Sequence, residues 1–277
     1  MYTLELNGHD GALAFDEKKC AEAGHRFAEK YQSAAPYPHI AIDDFVSAKV
    51  LRDLLEEFPD SAGKHYFDRN QERLKYQFHP QNCGPRVRNF LAELNSQAFL
   101  SFLSAMTGIN GLIADPYFFG GGLHETKRGG HLGVHTDFNI HSKMKVVRRL
   151  NLLIYLNDDW DETYGGELEL WDRSMTACQQ RISPVMGRAV IFNTDLNSFH
   201  GHPNPLTCPP ERSRRSIATY YYTSPVEGLQ ALRERGTVFK SRPGSKDQTD
   251  WKIIMEHFKD DWTPPAVRRG LFRRRGT

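Results

Sequence analysis

The chain has 277 residues, 39% hydrophobic and 25% charged, with a formal net charge of +2. This is ordinary globular composition, enough for one large domain or two small ones. No stretch approaches the ~18 apolar residues of a membrane span, and so small a net charge gives no reason to expect a nucleic-acid partner. The four cysteines, Cys20, Cys83, Cys178 and Cys208, are scattered without a Cys-x-x-Cys pair. That spacing disfavours a zinc ribbon or redox motif and reads as isolated thiols of a reducing compartment. The first residues carry Glu5 and Asp10 and lack a basic segment followed by an apolar run, so a signal peptide is not expected and a cytoplasmic location is.

The first third reads as helical. Residues 16–32 carry a modest apolar stripe (Cys20, Phe27, Tyr31), stopped by Pro36-Tyr37-Pro38, and His39-Ile40-Ala41-Ile42 reads as a short strand. Val50, Leu51, Leu54, Leu55 and Phe58 recur at helical spacing over 47–58, and Pro59 ends that helix. The segment 65–78 is rich in aromatic and basic residues and suits a lid. Residues 85–106 read as a longer helical stretch, one helix or two, with Gly108 as its stop.

From about Leu112 the texture changes to short apolar, β-branched or aromatic runs separated by turn residues. Strands are expected at 115–119, 133–137, 149–156, 167–171, 188–192 and 216–223. Gly120-Gly121-Gly122, Gly129-Gly130, Asn157-Asp158-Asp159, Gly165-Gly166 and Pro203-Asn204-Pro205 punctuate them. Such a run predicts a sandwich or barrel with helices grouped before it. The segment 226–277 returns to helical and polar character, with a helix expected at 251–258. It ends in a basic tail (Arg268, Arg269, Arg273, Arg274, Arg275) that reads as solvated. With no linker inside the β region, a single domain over 1–277 is expected. It comprises a helical buttress at about 16–110, a β core at about 112–224 and a C-terminal extension at about 226–277.

Among twelve histidines, His135 stands out. In His135-Thr136-Asp137 the imidazole and the carboxylate share one face of a strand. A third ligand from the distant Phe199-His200-Gly201-His202 block would complete a two-histidine, one-carboxylate triad with open positions, the arrangement that suits non-haem Fe(II) oxygenases. His200 and His202 compete for that place, and spacing alone does not separate them. Arg214-Arg215 opens the last strand. Arg215, Ile217 and Thr219 share a face, so an inward Ile217 would carry Arg215 inward, where a guanidinium needs an anionic partner. Arg214 then reads as exposed.

Taken in order, these elements resemble the Fe(II)/2-oxoglutarate-dependent oxygenases, in particular the prolyl 4-hydroxylase-like branch. The resemblance rests on His135-x-Asp137, on the apolar strand 149–157 ending in Tyr155-Leu156-Asn157, and on the Gly165-Gly166-Glu167 turn. The Pro184-x-x-Gly187-Arg188-x-x-x-Phe192 strand, His200 and Arg215 complete it. It implies an α+β, mainly β, double-stranded β-helix (jelly roll) buttressed by the N-terminal helices and flanked by the C-terminal helical, basic tail. It also implies His135, Asp137 and His200 as iron ligands. Arg215 and Tyr155 would meet the far carboxylate of 2-oxoglutarate, and His202 would lie on the substrate side. Where the family often has Tyr-Gly, this chain has Leu123-His124-Glu125-Thr126, so His124 or Thr126 would replace that contact. The cofactors implied are Fe(II), 2-oxoglutarate and O2, with ascorbate as reductant. A carboxylate at 137 favours hydroxylation or desaturation over halogenation.

Arg128, Asn139, His141, His202 and Tyr117 are the substrate-side candidates. The aromatic run Tyr117-Phe118-Phe119 reads equally as core. The expected reaction hydroxylates an unactivated C–H of a small or amino-acid-like molecule. Alternatives are a hydroxylase of prolyl or other residues in a protein or peptide, a cupin-like metal enzyme without 2-oxoglutarate, or a non-enzymatic jelly-roll binding protein. Oligomeric state is not legible.

Overall fold

A computed structural model describes residues 2–9, 12–59, 65–225 and 234–247. Strands β1 (Leu6–His9) and β2 (Ala12–Phe15) form a small hairpin. The Asp16 carboxylate then accepts a hydrogen bond from the Lys19 amide and caps α1 (Glu17–Gln32), satisfying one of the free N–H groups of the first turn. Strand β3 (His39–Ile42) and α2 (Ala48–Leu55) follow as expected. The segment proposed as a lid is a hairpin of β4 (His65–Arg69) and β5 (Glu72–Phe78). The long helical stretch is two helices, α3 (Pro85–Glu93) and α4 (Gln97–Thr107). Ser96 caps α4 through the Phe99 amide, and Gly108 closes it in the left-handed conformation at φ 72°.

The β region comprises β6 (Ile113–Ala114), β7 (Gly122–Thr136), β8 (Val147–Tyr155), β9 (Leu168–Trp171), β10 (Cys178–Ile182), β11 (Ala189–Asn193), β12 (His200–His202), β13 (Ser213–Thr223) and β14 (Val238–Phe239). The strand expected at 115–119 is instead a turn. The Asp115 carboxylate accepts from the Tyr117 and Phe119 amides at 2.9 and 2.8 Å, which competes with ladder pairing. The expected helical character after 226 is also corrected in part, because 238–239 form a strand on β7. The helix expected at 251–258 and the arginines of the basic tail lie outside the described residues.

The main sheet runs in the order β10-β9-β12-β7-β13-β8-β11-β3 through antiparallel pairings, with β5, β6 and β14 attached to its flanks. It is the nearly closed antiparallel barrel of a double-stranded β-helix. Its central strands are covered on both faces. Leu123, Leu150, Leu152, Ile154, Ala189, Ile191, Ile217 and Tyr221 point outward into a core shared with α1 to α4. Tyr155, Leu168, Leu170, Val190 and Phe192 pack on the inner face. Each fully buried Leu, Ile or Phe contributes roughly 1.5–3 kcal/mol, so the outer core fixes which face of each strand turns toward the barrel interior.

Candidate metal centre and its cavity

His135 on β7 and His200 on β12 are direct cross-strand partners, and their ring centroids lie 4.5 Å apart. Gly201 allows this approach. A Cβ at that position would sit 2.7 Å from the Gly133 carbonyl oxygen and 2.9 Å from that of Leu132, closer than a side chain tolerates. Asp137 follows just past the end of β7. Its carboxylate oxygens lie 3.7 Å from His135 Nε2 and 3.4 Å from His200 Nε2. One ligand atom from each of the three residues falls within 4.8 Å of the others.

The two imidazoles are oriented alike. Nδ1 of His135 sits 2.8 Å from the Gly133 carbonyl, and Nδ1 of His200 sits 2.9 Å from the Ser198 carbonyl. A carbonyl can only accept, so each Nδ1 carries the proton and each Nε2 presents its lone pair toward Asp137. Burial lowers both pKa values, that of His200 to about 4. The rings are therefore neutral at physiological pH, as metal ligands must be. Burial alone would raise the Asp137 carboxyl. Arg148, the two imidazoles and a 2.8 Å hydrogen bond from Asn151 Nδ2 outweigh it and hold the carboxyl below its ordinary range. Two neutral imidazoles and one carboxylate on one side of an open space are a donor set that fits Fe(II).

These residues open into a cavity of about 510 Å³. His202 shares the cavity face with His200, but its cross-strand partner is Leu132, and it does not join the cluster of ligand atoms. Its buried Nδ1 has no hydrogen-bond partner. His124 and Thr126 of β7 also line the cavity. Burial drives the pKa values of His124 and His202 well below the ordinary value.

The arginine assignment is reversed. Ile217 does pack into a core, but that core lies between the sheet and the helices, so Arg215 shares the outer face. Arg215 bonds Glu125 Oε1 at 3.1 Å, its guanidinium lies 4.6 Å from the Phe58 ring, and its side chain is 35% exposed. Arg214 is the inward residue, only 5% exposed, and lines the cavity with Ser216 and Tyr220. Its Nε donates to the Gly166 carbonyl at 2.7 Å and one NH2 lies 3.2 Å from the Tyr155 hydroxyl. Asn157 locks this parity by accepting from the Arg215 amide at 2.7 Å and donating to the Arg215 carbonyl at 3.1 Å.

Several substrate-side candidates are placed elsewhere. Arg128 is exposed and donates to the Cys208 carbonyl at 3.1 Å. Tyr117 is 50% exposed beneath Lys143. His141 is fully buried. Its Nδ1 accepts from the Lys143 and Met144 amides, and its Nε2 lies 3.3 Å from Asp115 at an angle that makes no hydrogen bond. Asn139 lines a smaller neighbouring cavity and accepts from the Arg235 amide at 2.7 Å.

Sequence reasoning missed Arg148 and Asn151. The Arg148 guanidinium is buried 3.5 Å from the Tyr220 ring centroid and 4.5 Å from that of Phe138. It reaches Asp137 at 3.3 Å and Asn151 Oδ1 at 2.6 and 3.0 Å. The signal was present in the inward parity that places Asn151 one turn of alternation before Leu153 and Tyr155. The hairpin expected as a lid lines the same cavity through Phe67, Glu72, Lys75 and Gln77, and Thr237 and Phe239, which sequence reasoning missed, join it there.

The profile of the 2OG-Fe(II) oxygenase superfamily matches residues 121–222, the stretch that supplies all three clustered ligands. The β core therefore carries a domain of that superfamily. Its chemistry uses Fe(II), 2-oxoglutarate and O2, which makes the protein an enzyme and leaves the cupin-like and non-enzymatic readings without support. The fold is similar to that of a Pseudomonas putida prolyl-4-hydroxylase (15% identity over 72% of this chain and 98% of the other, TM-score 0.51). It is also similar to a Trichoplax adhaerens prolyl hydroxylase solved in complex with a hypoxia inducible factor oxygen degradation domain peptide fragment (16%, 79% and 96%, TM-score 0.53). A third similar structure comes from work on prolyl 4-hydroxylases of Phytophthora capsici (17%, 88% and 76%, TM-score 0.50). No curated protein matches the chain in sequence. No helix among the described residues is long and apolar enough to cross a membrane.

Proposed function

We propose that this oxygenase hydroxylates an unactivated C–H bond of a small or amino-acid-like molecule while 2-oxoglutarate is converted to succinate and CO2. The observation that carries the reading is the convergence of His135 Nε2, His200 Nε2 and the Asp137 carboxylate at the wall of one cavity. In this reading those three residues hold Fe(II), which when bound supplies the oxidising power for C–H cleavage.

Arg214 offers a guanidinium for the far carboxylate of 2-oxoglutarate. The Gly166 carbonyl and the Tyr155 hydroxyl hold its plane, so little freedom is lost when a carboxylate binds. Thr126 is the cross-strand neighbour of Arg214 and adds a hydroxyl, while the His202 ring lines the same cavity. Arg148 and Asn151 grip one carboxylate oxygen of Asp137 and fix its orientation. Phe67 and Phe239 line the same cavity, and their apolar rings would limit water beside the site.

The cavity volume falls in the range of sites for small ligands, which favours a small molecule. A side chain of a protein is the second reading, because a structure of the same fold holds a peptide. Succinate release by the iron-loaded protein, screened with metabolites and with peptides, tests both. Stimulation by a peptide alone would replace the first reading with the second.

A further inference from the structure

The roof of the cavity contains a feature that the iron and 2-oxoglutarate assignments do not use. On β5, residues 72 and 75 are an odd number of positions apart and would face opposite sides of a regular strand. Against its hairpin partner β4, Lys75 pairs with Phe67 and Glu72 with Arg69, so β5 carries one extra residue between Glu72 and Lys75, and Leu74 there lies at φ 49°. That bulge turns Glu72 and Lys75 to the same face. Both line the metal cavity. Their charged atoms are 2.8 Å apart and each side chain is only 12% exposed. A leucine in the left-handed region is strained, and a largely buried ion pair seldom recovers its desolvation cost. Two unfavourable choices at the wall of an active-site cavity point to use rather than to folding.

The other charged groups of the cavity are engaged. Asp137 faces the imidazoles and Arg148, and Arg148 is held between two rings. Arg214 is held by Gly166 and Tyr155. Arg69 is exposed at the mouth, over Phe67. Among the described lining residues, Glu72 is the carboxylate other than Asp137, so it is the group that can meet a cation. Lys75, 2.8 Å away, is an anion partner already at hand. An α-amino acid carries an ammonium and a carboxylate on one carbon, and its two charges can enter between Glu72 and Lys75, exchanging one ion pair for two.

We propose that Glu72 and Lys75 are a recognition pair for a free α-amino acid, Glu72 taking the ammonium and Lys75 the carboxylate. The proposal rests on the oxygenase reading above and names its substrate class.

The test is succinate formation by the full-length, iron-loaded protein with 2-oxoglutarate, O2 and each of the twenty common α-amino acids. Each is run beside its N-acetyl and carboxamide forms. At least one free amino acid should raise succinate release tenfold above the uncoupled rate, and blocking either charge should lower kcat/KM at least tenfold. Glu72→Gln should lower use of the free amino acid to the level of the N-acetyl form, and Lys75→Met to the level of the amide. The double exchange Glu72→Lys with Lys75→Glu keeps the ion pair in the hairpin but reverses the charge offered to each end of the substrate, so kcat/KM for the free amino acid should stay at least tenfold below wild type; full recovery, which a purely structural pair would show, overturns the proposal. Uncoupled turnover without stimulation by any of the twenty, or equal use of free and blocked forms, overturns the amino-acid site and leaves the oxygenase standing. Iron-loaded protein that neither binds nor consumes 2-oxoglutarate overturns the oxygenase reading and this proposal with it.

Discussion

The inner and outer faces of β7 and β13 differ in what they leave unfinished. On the outer face, Glu125 accepts from Lys127 at 2.8 Å, Ser213 at 2.6 Å and Arg215 at 3.1 Å, while Leu123, Ile217 and Tyr221 join the helical core. Polar groups there find partners within the fold. On the inner face the same two strands present Thr126, His135, Arg214 and Ser216 to an open cavity. Arg214 keeps donors to spare beyond its two fold contacts, and the Nε2 atoms of His135 and His200 converge on one carboxylate. The outer face is built to hold the barrel shut, the inner face to receive ligands, and substitutions on the two should fail in different ways.

The largest separation is expected in bound iron. His200→Ala and Asp137→Ala should each abolish stoichiometric iron, whereas His202→Ala should retain it, as read by metal analysis of purified protein. Iron kept by the His200 variant would move the third ligand to His202. Next comes the arginine pair. A charge-assisted, two-point contact is worth about 3 kcal/mol, or about 100-fold in affinity. Arg214→Ala should therefore weaken 2-oxoglutarate binding by about that factor in calorimetric titration. Arg215→Ala, on the outer face, should change it by less than about threefold. The opposite ranking would refute the inward parity of Arg214.

That ranking also shows why the sequence could be read only so far. The order of the ligand motif, the Tyr-Leu-Asn strand, the glycine turn and the final strand is local, and five strands, His135 and Asp137 were legible from it, while the choice of His200 over His202 came from the resemblance and not from spacing. The parity of β13 was not. Alternation between apolar and polar residues marks a strand with one wet face, but β13 is buried almost throughout, so Ile217 could not say which of two interiors it faced. The deciding contact, Asn157 on the Arg215 backbone, joins positions far apart in the chain. Aromatic and basic residues marked 65–78 for a lid, and the hairpin does line the cavity, yet only the bulge at Leu74 brings Glu72 and Lys75 to one side.

Acid should expose the cost of the inner face. The His200 pKa is lowered by burial from 6.5 to about 4, and burial lowers that of His135 as well. Between those two values the unfolded chain binds a proton that the folded, iron-free protein refuses, so stability is intact above pH 6.5 and falls as the pH drops toward 4. For His200 alone the loss approaches ~3 kcal/mol. Thermal melts of iron-free protein across that window should show the decline, and His200→Gln should flatten part of it. A wild-type Tm that stays level from pH 6.5 to 4 would contradict the neutral-imidazole arrangement.

The smallest effect belongs to the outer face. Burial would raise the Glu125 carboxyl, but Lys127, Ser213 and Arg215 hold it below its ordinary range, so the charged form is the one the fold uses. Glu125→Gln keeps the shape and removes the charge. Lys127 and Arg215 are partly exposed and recover water when the carboxylate goes, so the loss should be held to about 1–2 kcal/mol. In a chain of this size that lowers Tm by roughly 2–8 °C, while 2-oxoglutarate affinity and bound iron stay within twofold of wild type. A Glu125→Gln protein of unchanged Tm but weakened 2-oxoglutarate binding would mean that the two faces of the sheet are coupled through Arg214 and Arg215, and that the division between holding and receiving is not the one this barrel uses.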